Sequence, residues 1–210
     1  MMILPSRGRP HLVQRFFDQG QPTLPGLLVI DDDDKENYRA VKIPPDWRVL
    51  VLPHLCLVDK CNAAFSEFPA EPWYGITNDD VLPETPQWDE RLRAIAGPRN
   101  FAYGDDGINH RFSTAVMGGE LVRAIGWFLC PALKHFYTDD AWELFHEIGL
   151  GIYVPDIKVT HLHFTVGKAP RDQTYAERGD PAKDQFRFET WKARDWPMLR
   201  DRVRAELRLH

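Results

Sequence analysis

Four short runs of this chain end on adjacent carboxylates: VIDDDD at 29–34, ITNDD at 76–80, YGDDG at 103–107 and YTDDAWE at 137–143. Carboxylates side by side repel one another, so each run needs either solvent around it or a positive centre that several of them share. Sets of carboxylate oxygens suit hard divalent cations, and a Mg²⁺ or Mn²⁺ with open coordination positions can bridge substrate phosphates. For any one run taken alone, the plainer reading is that aspartates at strand ends form turns and helix caps. The segment VTHLHF adds a second signal, because His161 and His163 stand two residues apart. On a strand both rings face the same side and can reach one ion, and imidazole in the shell tilts the metal from Mg²⁺ toward Mn²⁺.

The hydrophobic pattern says how such groups would be brought together. MMILPS, GLLVIDD, RVLVLP and WYGITNDD read as strands rich in branched residues. HLVQRFFDQ, VDKCNAAFSEF and TPQWDERLRAIAG read as helices, the last with Thr85 as N-cap, Pro86 in the first turn and Gly97 as the stop. Strand followed by helix, repeated, predicts an α/β fold: a three-layer sandwich with a mostly parallel central sheet. Beyond residue 100, NFAYGDD, FSTAVMGG and GIYVPDIKVTHLHF read as strands, GELVRAIGWF and DDAWELFHEIGL as helices. The polar, turn-rich segment from 167 leads into an amphipathic helix broken near Pro197, with Trp191, Trp196, Leu199, Val203 and Leu207 available to pack back on the domain. Ligands of parallel α/β sheets bind outside the carboxyl ends of the strands, so Ser6-Arg7, Asp31 and Asp79-Asp80 are expected to converge on one edge.

The totals narrow the classes. With 210 residues, 43% of them hydrophobic and 27% charged, the chain can bury one sizeable core. Its net charge of −5 disfavours a protein that binds by blanket neutralisation of nucleic-acid phosphates. Cys56, Cys61 and Cys130 are odd in number and lie in apolar context, which predicts reduced thiols and a cytoplasmic location. The start MMILPSRGRP lacks a basic leader, and no stretch approaches membrane-spanning length, so a soluble protein without membrane insertion is expected.

LPSRGRP, VIDDDD, KCNAAF, TNDDVLPE, YTDDAWEL and HLHF, in this order over residues 1–165, resemble the family 2 glycosyltransferases with the GT-A fold. The resemblance implies a catalytic domain over 1–166, with a nucleotide-binding half to residue 100 and an acceptor half from 101, and a C-terminal segment over 167–210 that packs on it. It implies a nucleotide-diphosphate sugar donor, UDP among the candidate nucleotides, a divalent metal on the diphosphate, and inverting transfer to an acceptor hydroxyl. The family's Asp-x-Asp falls on Thr77-Asn78-Asp79, so one acid of the motif is replaced by a hydroxyl. The implied metal ligands are Asp79 and Asp80, aided by His163 and His161, with Mn²⁺ favoured over Mg²⁺. Asp31 is the implied partner of the nucleobase. Pro5, Ser6, Arg7, Arg9, Lys60, Asn62 and Asn78 fall where the family meets the nucleotide. Asp140, with Asp139 beside it, is the implied base, and Thr138 to Asp140 also read as a plain helix cap. Asp105 and Asp106 read as a tight turn at the site's edge, and Gly118-Gly119 as a loop whose backbone N–H groups can meet an anion.

Two other readings compete. A nucleotidyltransferase on a related scaffold usually carries a glycine-rich first loop with a lysine, and SRGRP has one glycine and no lysine. A non-catalytic nucleotide-sugar-binding protein would explain Thr77 as the mark of a lost metal site. The acceptor is open among small molecules, glycans and a modified nucleic-acid base. The tail carries Arg171, Arg178, Lys183, Arg187, Lys192 and Arg194, but the interspersed Asp172, Glu177, Asp180, Asp184 and Glu189 predict an ordinary solvated face.

Overall fold

The structure, a computed structural model, describes residues 1–108, 112–162, 167 and 177–209. Its strands are β1 (Met2–Pro5), β2 (Gly26–Asp31), β3 (Trp47–Leu52), β4 (Trp73–Ile76), β5 (Val81–Pro83), β6 (Phe101–Asp105), β7 (Ala115–Gly118) and β8 (Gly151–His161). Its α-helices are α1 (Pro10–Arg15), α2 (Leu57–Glu67), α3 (Trp88–Ala96), α4 (Gly119–Ile125), α5 (Thr138–Glu147), α6 (Pro181–Arg194) and α7 (Trp196–Glu206). The strands form one sheet in the order β3-β2-β1-β4-β7-β6-β8-β5. β1, β2, β3 and β4 run parallel; β7 is antiparallel to both β4 and β6, and β8 is parallel to β6. It follows that all strands except β7 and β5 point the same way, as the sequence pattern predicts for a mostly parallel sheet.

Both faces of the sheet are covered, and the period-two alternation of the strands shows it. Ile3, Leu27 and Val29 pack into one core with α2, α4, α5 and the C-terminal helices, while Met2, Leu4, Leu28 and Ile30 pack into a second core with α1 and α3. This is the three-layer α/β/α arrangement. The helix α3 begins later than expected: Gln87, at φ 55°, is its N-cap. Thr85 is drawn instead to β8, where its hydroxyl accepts from the Lys158 N–H at 2.8 Å. Gly97, at φ 58°, ends the helix as expected, in a conformation that suits glycine.

Two buried aspartates fasten loops to helices. Asp89 of α3 accepts from the backbone N–H groups of Thr23 and Leu24, both at 2.7 Å, ahead of β2. Asp184 of α6, expected on a solvated face, is 2% exposed and accepts from the N–H groups of Lys134, His135 and Phe136 at 3.3, 2.8 and 3.0 Å. The C-terminal pair of helices is thereby tied to the loop that precedes α5. Trp191, Trp196, Leu199 and Val203 complete the same core, and the break falls at Asp195 with Pro197 in the first turn of α7.

Removing the Asp184 carboxylate would orphan three backbone donors. Asp184→Ala is expected to lose roughly 2–4 kcal/mol of stability in urea denaturation, and a loss under about 1 kcal/mol would show that water replaces the carboxylate there.

Candidate functional site

Because β1, β2, β3, β4, β6 and β8 share one direction, the residues after their carboxyl ends share one edge. A cavity of about 300 Å³ opens there, lined by Pro5, Ser6, Arg7 and Arg9 after β1, His54 to Leu57 after β3, and Asn78 to Asp80 after β4, with Lys60, His135, His161, Glu177 and Arg178 around them. Asp31 stands just behind this lining, fully buried.

The acids at this edge are matched by side-chain cations. Lys60 Nζ lies 2.8 Å from Asp31 Oδ1, and Arg7 Nη1 lies 3.0 Å from Oδ2. Both oxygens of Asp31 therefore face a cation. Arg7 also bonds Asp33 through two nitrogens, at 2.7 and 3.1 Å, and Glu177 at 3.1 Å. Asp34 closes the loop by accepting from the Gly8 N–H and from Asn37.

At the end of β4, Arg9 Nη1 lies 3.1 Å from Asp79 Oδ1 and 3.4 Å from Asp80 Oδ2. The other oxygen of Asp79 accepts from the Ser6 hydroxyl at 2.6 Å. Ser6 Oγ is 2.7 Å from the Tyr38 hydroxyl, and since Ser6 donates to Asp79, Tyr38 donates to Ser6 and accepts from the Arg9 N–H at 3.3 Å. A relay of hydrogen bonds thus runs from the β1 loop to Asp79. Thr77, where the resemblance places an acid, is buried with its hydroxyl 3.4 Å from that of Thr114.

His161 reaches the site because β5 pairs antiparallel with β8, placing Val81 opposite His161. Its Nε2 is 3.6 Å from Asp80 Oδ1 and its Nδ1 is 3.9 Å from Asp106 Oδ2. Asp105 is turned aside by an irregularity in β8, where the register jumps so that Asp105 opposes Lys158, whose Nζ lies 2.6 Å away. Gly104 is required at that jump, since a Cβ there would lie 2.7 Å from the Ile157 carbonyl.

Burial favours the proton on Asp79, and the neighbouring Asp80 adds to this, so its carboxyl is raised above the ordinary range. Burial alone would lower His161, but the carboxylates of Asp106 and Asp80 outweigh it and push the imidazole up to about 9. At His135 burial and the Arg178 guanidinium outweigh the carboxylates of Asp184 and Asp80 and lower the imidazole to about 4, so it stays neutral near pH 7.

The predicted site residues therefore separate by position. Pro5, Ser6, Arg7, Arg9, Lys60, Asn78, Asp79, Asp80 and His161 line the cavity, and Asp31 and Asp106 bond or flank residues that do. Asn62 does not line it: its side chain bonds the backbone of Phe128 and Leu129 and ties α2 to the segment after α4. Gly118 and Gly119 sit at the opposite edge, because antiparallel β7 pairs Gly118 with Trp73 at the start of β4. Their N–H groups bond Asn100 and Pro72, and a Cβ on either would meet backbone at 2.1 or 2.2 Å, so they serve packing and not an anion. Asp139 and Asp140 lie in the first turn of α5, whose N-cap is Tyr137. His163 lies outside the described residues. Tyr38, His54 and His135 were not singled out in the sequence; His54, directly after β3, follows the same strand-end rule as Asp31 and Asp79.

Among the described residues, Asp31, Asp33 and His54 offer ligand atoms within 4.8 Å of one another and could hold a metal by that measure, while Asp79, Asp80 and His161 do not close to such a set. Arg7 already joins the two carboxylates of the first group, and Arg9 those of the second. A dication about 4 Å from a guanidinium is repelled by roughly 8 kcal/mol at an effective dielectric near 20. The residues at the end of β4 therefore do not fit a divalent ion with Arg9 in place.

No family model matches the sequence, and no curated protein matches it. Solved structures do. A mannosyltransferase from Pyrobaculum calidifontis, in complex with GDP-Man and Mn²⁺, aligns at TM-score 0.57 and 14% identity over 98% of this chain and 73% of its own. A nucleotide-diphospho-sugar transferase from Desulfovibrio desulfuricans, described as putative, aligns at TM-score 0.52 and 12% identity over 96% of this chain and 97% of its own. The 4-diphosphocytidyl-2C-methyl-D-erythritol synthase from Anaerococcus prevotii aligns at TM-score 0.51 and 11% identity over 73% of this chain and 87% of its own. The fold is that of the GT-A nucleotide-diphospho-sugar transferases. Among the described residues no helix is long and apolar enough to cross a membrane.

His161 supplies a pH test. Its folded pKa of about 9 exceeds the ordinary 6.5, so its contribution to stability is full below pH 6.5 and is lost as pH rises through about 9. The melting temperature is expected to fall by roughly 4–8 °C across that window, and His161→Asn is expected to flatten the slope. An unchanged slope in the variant would remove His161 as its source.

Proposed function

We propose that this protein transfers a glycosyl group from a nucleotide-diphosphate sugar to an acceptor hydroxyl, with inversion. The observation that carries this reading is the composition of the cavity: in a chain of net charge −5, its lining gathers Arg7, Arg9, Lys60, Arg178 and the raised His161 against Asp79, Asp80 and Glu177. Such a lining attracts an anion with more than one charge. Behind one part of it, the buried Asp31 carboxylate, held by Lys60 and Arg7, is an acceptor suited to a nucleobase N–H, with Lys60 beside it to meet a base carbonyl.

In this reading the acceptor oxygen attacks the anomeric carbon and forms the new C–O bond. The bond from that carbon to the diphosphate breaks, its electron pair leaving on the diphosphate oxygen, and the acceptor's proton passes to Asp140. Asp140 is assigned this role by the resemblance and by its place five residues after His135, which lines the cavity. The side-chain cations around the diphosphate stabilise the charge it gains. The Mn²⁺ of the mannosyltransferase is not carried over, because Arg9 holds Asp79 and Asp80.

The likeness to the diphosphocytidyl synthase favours a second reading, in which the α-phosphate is attacked and inorganic diphosphate leaves. Product analysis separates them. Incubation with UDP-, GDP-, CDP- and TDP-sugars is expected to release nucleoside diphosphate and free sugar from one of them. Asp140→Asn is expected to slow this about 100-fold or more while donor binding changes by less than about threefold. Formation of nucleotide sugar from nucleoside triphosphate and sugar phosphate, with release of diphosphate, would establish the second reading instead.

A further inference from the structure

We infer that Arg9, clamped by Asp79 and Asp80, is itself the cation that receives the donor's diphosphate, so that nucleotide binding at this site needs no divalent metal. The inference rests on the nucleotide-sugar reading above and gives the Asp79-Asp80 pair a different task within it.

Three independent features place a side chain where the resemblance implies an ion. The first acid of the motif is replaced by Thr77, whose hydroxyl is buried against Thr114 and is spent inside the core. Both oxygens of the second acid are engaged, one by Ser6 at 2.6 Å and one by Arg9 at 3.1 Å, and the following Asp80 shares the same guanidinium. On the far side of Asp80, His161 bridges toward Asp106, so the carboxylates around the position have protein partners.

The geometry also explains why an arginine is held here. Arg9 is 4% exposed yet lines the cavity, so its charge is buried at the wall and fixed in direction. Its contacts to Asp79 and Asp80 both run through Nη1, and its backbone N–H is tied to Tyr38, which is tied in turn to Ser6 and Asp79. A guanidinium is a planar fork of five donors that matches phosphate oxygens, is always charged, and loses little freedom when pre-positioned. Two carboxylates on Nη1 hold that fork at the cavity wall. The acids thus act as positioning residues for a cation that is covalently part of the chain.

Titration calorimetry with UDP, GDP, CDP and TDP tests this, each run once in excess EDTA and once in Mn²⁺. The expected result is that at least one nucleotide binds in EDTA with a Kd within about threefold of that in Mn²⁺. Arg9→Gln is expected to bind that nucleotide at least about tenfold more weakly in EDTA and to regain affinity with Mn²⁺, because the freed carboxylates then accept the ion. Arg9→Lys, which keeps the charge and loses the fork, is expected to fall between the two. Wild-type binding that is tenfold or more tighter in Mn²⁺ would overturn the inference and leave the nucleotide reading standing. No binding of any nucleotide in either condition would overturn both. Should the Arg9 variants fail to fold, the wild-type comparison in EDTA and Mn²⁺ decides alone.

Discussion

The constraint on which this molecule turns is the crowding of carboxylates at one sheet edge. Asp31, Asp33, Asp34, Asp79, Asp80, Asp105 and Asp106 follow the ends of strands that point the same way, and several are buried. Anions in that position cost far more than they return unless each is paired. The chain meets this with its own cations: Lys60 and Arg7 for Asp31, Arg7 for Asp33, Arg9 for Asp79 and Asp80, Lys158 for Asp105, His161 between Asp80 and Asp106. The same pairing that makes the edge stable holds Arg7, Arg9, Lys60 and His161 in fixed positions along the cavity.

The topology supplies these pairs from distant parts of the sequence. Arg9 meets Asp79 because β1 and β4 are neighbours, and His161 meets Asp80 because the edge strand β5 folds back on β8. The helix α6 contributes from still further along, since Asp184 fixes the loop that carries His135 into the cavity. Glu177 and Arg178, just before α6, complete the lining. The C-terminal segment, expected from the sequence to pack on the domain with a solvated charged face, thus also contributes Glu177, Arg178 and Asp184 to how the site is built.

The fold was legible where a rule linked pattern to direction. Branched runs followed by helices gave parallel strands, and parallel strands put Ser6, Asp31 and Asp79 on one edge. Two further signals stand in the sequence. His54 follows β3 as Asp31 follows β2, and the short helix-free connection between FAYGDD and FSTAVMGG is too brief for a parallel crossover, which needs a dozen or more residues. That second signal makes β7 antiparallel and carries Gly118-Gly119 to the far edge. Other features had no local sign. Asn62 is implied at the nucleotide and Asp184 on a solvated face, and only their backbone partners 67 and 49 residues away show the roles they have. The pairing of Arg9 with Asp79 and Asp80 also has no local sign, because charge pairing across β1 and β4 depends on side-chain geometry and not on motif order.

The central claim is that one cavity binds a nucleoside diphosphate with its base at Asp31 and its diphosphate at Arg9. The most direct measurement is a crystal structure of the protein grown in EDTA and soaked with the nucleoside diphosphate it binds best. The account predicts density for the base against Asp31 and Lys60, and for the diphosphate within hydrogen-bond reach of Arg9, with Arg9 still on Asp79 and Asp80. Density for the nucleotide elsewhere on the molecule, or a base placed away from Asp31, would contradict it.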